Sequence, residues 1–150
     1  MSKITVFGFN HTAFVVSDLD RTVGFFQEFL GFELTSRAPR DNAAIQAMIG
    51  LSEVDIEIAY LRGYGHWVEL IHYKTPPDRG AALPKIYQDG AGHIAFDIED
   101  AEAAVEAAAA FGLRPIGDIV TIDQGPNRGR KVVYLQSEEG LSVEFIEAPH

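Results

Sequence analysis

The chain has 150 residues, 47% apolar and 23% charged, with 12 Lys and Arg against 22 Asp and Glu for a net charge of −10. This length suits one domain built from two small modules, and the acidity argues against nucleic acid or an anionic membrane as a partner. The apolar content is too high for disorder, the charges are too closely spaced for a membrane span, and the absence of cysteine removes disulfides, thiolate zinc sites and cysteine nucleophiles. MSKITVFGFNH has neither a basic n-region nor an apolar h-region, so the expectation is a soluble cytoplasmic protein without a signal peptide.

The first strand pattern is HTAFVV (11–16). Alternation sets His11, Ala13 and Val15 on one face and Thr12, Phe14 and Val16 on the other. A helix follows over 18–31, with Asp18 as N-cap, Leu19, Val23, Phe26 and Leu30 as its apolar stripe and Gly31 as its stop. Two β-rich stretches, FELTSR (32–37) and VDIEIAYL (54–61), flank DNAAIQAMIG (41–50), which predicts one short helix. WVELIHY (67–73) closes the first half, with Glu69 pointing away from Val68 and Leu70. His66 and His72 fall on the face opposite Glu69 and carry no metal role. KTPPDRGAALP (74–84) has linker composition.

The second half repeats this order. HIAFDIED (93–100) matches HTAFVVSD (11–18), and a helix capped by Asp100 carries a thinner stripe of Ala101, Val105 and Ala108 before Gly112. LRPIGDIV (113–120) and RKVVYLQ (130–136) follow as strands, and SVEFIEA (142–148) matches WVELIHY. Each half therefore reads βαβββ. The expected class is α+β: two βαβββ modules forming one curved, cup-shaped mixed sheet with helices outside, because neither half alone buries both its helix stripe and its sheet face. The boundaries are a single domain over 1–150, with module 1 at about 5–75, a linker at 76–90 and module 2 at about 91–148.

The repeat makes His11 equivalent to His93 and Glu69 equivalent to Glu144. All four are expected on the face turned away from the helices. Two imidazoles and two carboxylates form a mixed nitrogen and oxygen set for one divalent ion, with two octahedral positions left open for substrate. Such a site polarises vicinal substrate oxygens and favours deprotonation of the adjacent carbon, with Glu144 and secondarily Glu69 as proton carriers. The loop DQGPNRGRK (123–131) concentrates positive charge, so Arg128, Arg130 and Lys131 are candidates for an anionic group of the substrate, with Tyr134 lining the cup. As a plain hairpin turn the loop is equally well explained by its glycines and proline.

NHTAFVVSDLDRTVGFFQEFLGFEL and GHIAFDIEDAEAAVEAAAAFGL, opening the two halves, resemble the vicinal oxygen chelate superfamily of glyoxalases, epimerases, extradiol dioxygenases and bleomycin or fosfomycin resistance proteins. The resemblance runs from about Phe9 to Glu147 and places the superfamily's metal positions on His11, Glu69, His93 and Glu144, similar to the shell of bacterial glyoxalase I. It implies a metal-dependent isomerase, epimerase or glyoxalase-like lyase acting through an enediolate on a small α-oxygenated carbonyl compound. It also implies one divalent ion per site (nickel, cobalt, iron, manganese or zinc) and a homodimer. An iron(II) extradiol-type dioxygenase is the alternative, and a bleomycin-resistance-type binding protein, which needs no metal shell, is the third reading. The arginine with which glyoxalases hold glutathione has no counterpart in FGFNHTAF.

Overall fold

The computed structural model of the protein describes residues 4–40, 43–78 and 85–148. The first half contains β1 (Thr12–Val15), α1 (Leu19–Gly24) continuing as a π turn (Phe25–Phe29), β2 (Glu33–Arg40), α2 (Ala43–Ile49), β3 (Asp55–Gly63) and β4 (His66–Thr75). The second contains β5 (Ile94–Ile98), α3 (Ala101–Ala108) with a closing 3₁₀ turn (Ala109–Phe111), β6 (Leu113–Pro115), β7 (Val120–Thr121), β8 (Lys131–Ser137) and β9 (Ser142–Glu147). Residues 79–84 of the expected linker, and residues 41 and 42 of the expected short helix, lie outside the described residues. No helix among the described residues is long and apolar enough to cross a membrane.

Both helix starts follow from their caps. Asp18 accepts the backbone N–H of Arg21, and Asp100 that of Ala103, each at 2.9 Å. The second helix ends because Gly112 takes φ 78°, a left-handed conformation that costs a side chain dearly and glycine nothing. The stretch 113–120 does not form one strand. Pro115 offers no N–H to a ladder and Gly117 follows it, so the pairing with β8 is split between β6 and β7.

The strand order is β1-β4-β3-β2 in one sheet and β5-β9-β8-β6 in the other, with β7 also on β8. In each, the first strand runs parallel to the last. The βαβββ modules and the α+β class are as the sequence predicts, but within one chain the sheets stay separate and α1 and α3 lie between them, while α2 packs on a smaller cluster of Val54, Ile56 and Ile58. Val16, Phe25, Phe26, Leu61, Val68 and Leu70 of the first half share one buried cluster with Ala104, Ala108, Val133, Leu135, Val143 and Phe145 of the second. Phenylalanines bridge the halves: Phe25 meets Phe111 at 5.9 Å between ring centroids, and Phe29 meets Phe145 at 5.8 Å. Eight of the ten phenylalanines belong to this core or pack against it, so the shared surface buries both stripes at once.

The joint has a polar clasp. Glu139, from the turn between β8 and β9, accepts the backbone N–H groups of Ser17 and Asp18 through Oε2 and the Thr22 hydroxyl through Oε1 (3.1 Å). A carboxylate of the second module thus caps the first module's helix.

Candidate functional site

Cross-strand partners share a face of a sheet. Glu69 stands opposite Tyr60 on β3 and beside Ala13 on β1, whereas its neighbours Val68 and Leu70 enter the shared core. Glu144 stands opposite Tyr134 on β8 and beside Ala95 on β5, between the core residues Val143 and Phe145. Both glutamates therefore face away from the helices, as the alternation predicts.

Each glutamate meets the histidine of its own module. His11 Nε2 lies 3.0 Å from Glu69 Oε2, and His93 Nε2 lies 3.1 Å from Glu144 Oε2. Asn10 Oδ1 is 2.6 Å from His11 Nδ1, so Nδ1 is engaged by a neighbouring amide while Nε2 faces Glu69. Tyr60 donates its hydroxyl to Glu69 Oε1 at 2.7 Å and sets its ring edge-on to His11; Tyr134 sets its ring edge-on to His93 at 5.1 Å. Each half thus carries a His–Glu–Tyr constellation on equivalent strands.

The phenols register these neighbours. Tyr60 is pushed up to about 12, chiefly by donating to Glu69, then by burial and by the carboxylate's charge. Tyr134 is also raised, by burial first and then by the charge of Glu144 and hydrogen bonding to it. Glu69 is only 8% exposed, and such a carboxylate requires the partners that Tyr60 and His11 supply.

The pairs do not meet each other. The sheets flank one core, so their outer faces point in opposite directions. Among the described residues, no three of His11, Glu69, His93 and Glu144 bring ligand atoms within 4.8 Å of one another; the cluster that does is Asp100, Glu102 and Glu147. That cluster already holds Lys131, whose Nζ is 3.0 Å from Glu102. A cleft of about 1200 Å³ runs between the modules and has His93 at its wall, but neither Glu69 nor Glu144 lines it.

The basic loop divides. Arg130 lies on the His93 side: its guanidinium pairs with Asp97 and also donates to the Glu147 carbonyl at 2.8 Å and to Asn127 at 3.2 Å. Lys131 shares the helix-side face with Val133 and reaches Glu102 on α3, away from Glu144. Arg128 is exposed. His72 donates to the Val16 carbonyl at 3.0 Å, which ties β4 to the end of β1. Sequence reasoning missed Tyr60 and Asn10. The signal for Tyr60 was present, since IAYL (58–61) and VVYL (132–135) are the same strand of the repeat.

Fold and site together define a duplicated-module α+β protein with equivalent His–Glu–Tyr groups on two outward faces. The Glyoxalase/Bleomycin resistance protein/Dioxygenase superfamily matches residues 8–145, and the chain belongs to that superfamily. It is 37% identical over 146 residues to the 2-epi-5-epi-valiolone epimerase of Actinomyces sp, covering 93% of this chain and 79% of that protein. It is 31% identical over 144 residues to the lactoylglutathione lyase of Haemophilus influenzae, covering 91% and 90% respectively. A glyoxalase family protein from Bacillus cereus superposes with a TM-score of 0.81 at 26% identity, over 98% of this chain and 97% of that one. The fosfomycin resistance protein of Listeria monocytogenes shares the fold at 16% identity and a TM-score of 0.62, over 97% and 96% of the two chains.

Proposed function

We propose that the protein is a divalent-metal-dependent isomerase, epimerase or glyoxalase-like lyase acting on a small α-oxygenated carbonyl compound. The observation that carries this reading is the repeated His–Glu spacing. Two ligands about 2.1 Å from one ion at a right angle stand about 3 Å apart, and the pairs here are spaced at 3.0 and 3.1 Å. The donor set, two imidazoles and two carboxylates, fits a divalent ion of nitrogen and oxygen preference. When bound, such an ion supplies Lewis acidity to vicinal substrate oxygens. Glu144 then takes the proton of the neighbouring C–H on its carboxylate and returns it to carbon, with no net oxidation. Arg130, oriented by Asp97 on the strand beside Glu144, is the candidate for an anionic substituent of the substrate, with Arg128 in the same loop as a second, and Tyr134 stands opposite Glu144. Glu69 as a fourth ligand disfavours the three-ligand dioxygenase alternative.

The complete quartet then comes from two copies of the chain, His11 and Glu69 of one with His93 and Glu144 of the other. The edges support this. Within the described residues β1 pairs only with β4 and β5 only with β9, so each sheet ends in an open strand directly beside its glutamate. Placing β1 of one copy beside β5 of the other would cover both edges and complete two equivalent sites.

Complementation tests it. Chains carrying His11→Ala with Glu69→Ala, or His93→Ala with Glu144→Ala, should each lose tight metal binding. Equal amounts unfolded and refolded together should regain about a quarter of the wild-type metal, because half the dimers are mixed and each holds one intact site. A site built within one chain would regain none. With α-hydroxy or α-keto carbonyl substrates, turnover in D₂O should place deuterium on carbon and should not require oxygen.

A further inference from the structure

We propose that Tyr60 is a positioning residue: by donating its hydroxyl to Glu69 Oε1 it fixes Glu69 as the stationary ligand and leaves proton transfer to Glu144. The proposal rests on the metal-site reading above and concerns how the two carboxylates divide the work.

The two oxygens of Glu69 have separate partners. Oε1 accepts Tyr60 at 2.7 Å, and Oε2 faces His11 Nε2 at 3.0 Å. A carboxylate held at one oxygen presents the other in one direction, which suits a ligand and hinders a group that must swing towards substrate. The hold is stiff because Tyr60 and Glu69 are directly paired across β3 and β4. Tyr60 also packs against the cluster of Val54, Ile56 and Ile58, against which Ile45 and Ile49 of α2 pack too.

The second half repeats the residues but not the packing. Tyr134 is paired with Glu144 across β8 and β9, and its ring lies closer to the imidazole, at 5.1 Å against 6.2 Å in the first half. No counterpart of α2 lies between β6 and β8 among the described residues. The Glu144 side chain is also the more exposed of the two, 14% against 10%. Both carboxylates have a phenol and an imidazole as partners, but only the first half's strands carry α2 against them, and Glu144 stands in the more open half.

The test uses Tyr60→Phe and Tyr134→Phe in the full chain, with cobalt(II) affinity read by competition against a chelator. Tyr60→Phe should weaken cobalt binding about tenfold and Tyr134→Phe less than threefold. In a Glu69→Ala background, Tyr60→Phe should change affinity no further, whereas a purely structural role would give the same loss in both backgrounds. Equal losses from both phenylalanine variants, or an undiminished loss in the Glu69→Ala background, would overturn the proposal. Tight cobalt binding by Tyr60→Phe would overturn it while leaving the metal reading intact; absence of binding by the wild type would instead remove the metal reading. If Tyr60→Phe fails to fold, the carbon-13 shift of Tyr60 Cζ in the wild type decides. It should keep its hydrogen-bonded value through cadmium titration, and a move to the free-phenol value would sink the idea.

Discussion

The tyrosines show how one backbone register carries two chemical outcomes. Tyr60 and Tyr134 occupy equivalent strands opposite equivalent glutamates, yet hydrogen bonding leads the shift of one and burial that of the other. Because the folded protein holds the Tyr60 proton to about 12 against an ordinary 10.0, its contribution to stability is complete below pH 10 and is lost as pH rises through 12. Urea denaturation of metal-free wild type and Tyr60→Phe should therefore differ by a constant amount between pH 7 and 10 and converge above it. Glu144→Gln should reduce turnover by about 10²-fold or more, and Glu69→Gln by less, because an amide oxygen still coordinates but cannot carry a proton. Equal losses in steady-state assays would remove Glu144 as the base. At this scale the sequence was legible wherever strand parity decides the outcome. His11, Glu69, His93 and Glu144 all stand on the faces that alternation assigns. Lys131 opens β8 and reaches Glu102, whereas Arg130, just before the strand, pairs with Asp97, so a basic cluster read along the chain is split where the sheet begins.

The elements owe their ends to short-range signals, which explains why the helices were read well and the sixth strand was not. Asp18, Asp100 and Gly112 act within a few residues of themselves, whereas the break at Pro115 depends on what β8 requires of its neighbour. Glu139 belongs to neither kind of signal. Its partners Ser17, Asp18 and Thr22 lie more than a hundred residues away, so no local pattern marks it. Hydrogen bonds to a charged group contribute about 1.5–3 kcal/mol each when sheltered, and the helix dipole adds only about 0.3–1 kcal/mol. Discounting for partial exposure, Glu139→Ala should destabilise the protein by about 2 kcal/mol in thermal or urea unfolding. Glu139→Gln should cost less than half as much, since the amide oxygen can still accept.

The whole molecule is one joint between two modules, and its stability cannot be assigned to either. Phe25, Phe26 and Phe29 of the first half find their ring partners in Phe111, Phe96 and Phe145 of the second. A fragment of residues 1–78 should accordingly show no cooperative unfolding, while mixing it with residues 79–150 should restore some helical signal. A sigmoidal melt of the isolated fragment would contradict the shared core. The duplication and the α+β class could be read from the sequence because the repeat is written in residues. The separation of the sheets could not, because hydrophobic stripes say what is buried and not which surfaces bury one another.

The outward-facing halves bear on how catalysis would respond to supply. On the reading proposed above, a chain whose two sheets turn their backs on each other carries two half-sites. If a second copy completes them, as proposed above, the number of working centres would vary with the square of chain concentration once dimers dissociate. Specific activity would then fall on dilution and recover on concentration, with no inhibitor or modification involved. A cell holding this chain at low abundance would possess the donors for the metal and lack the enzyme.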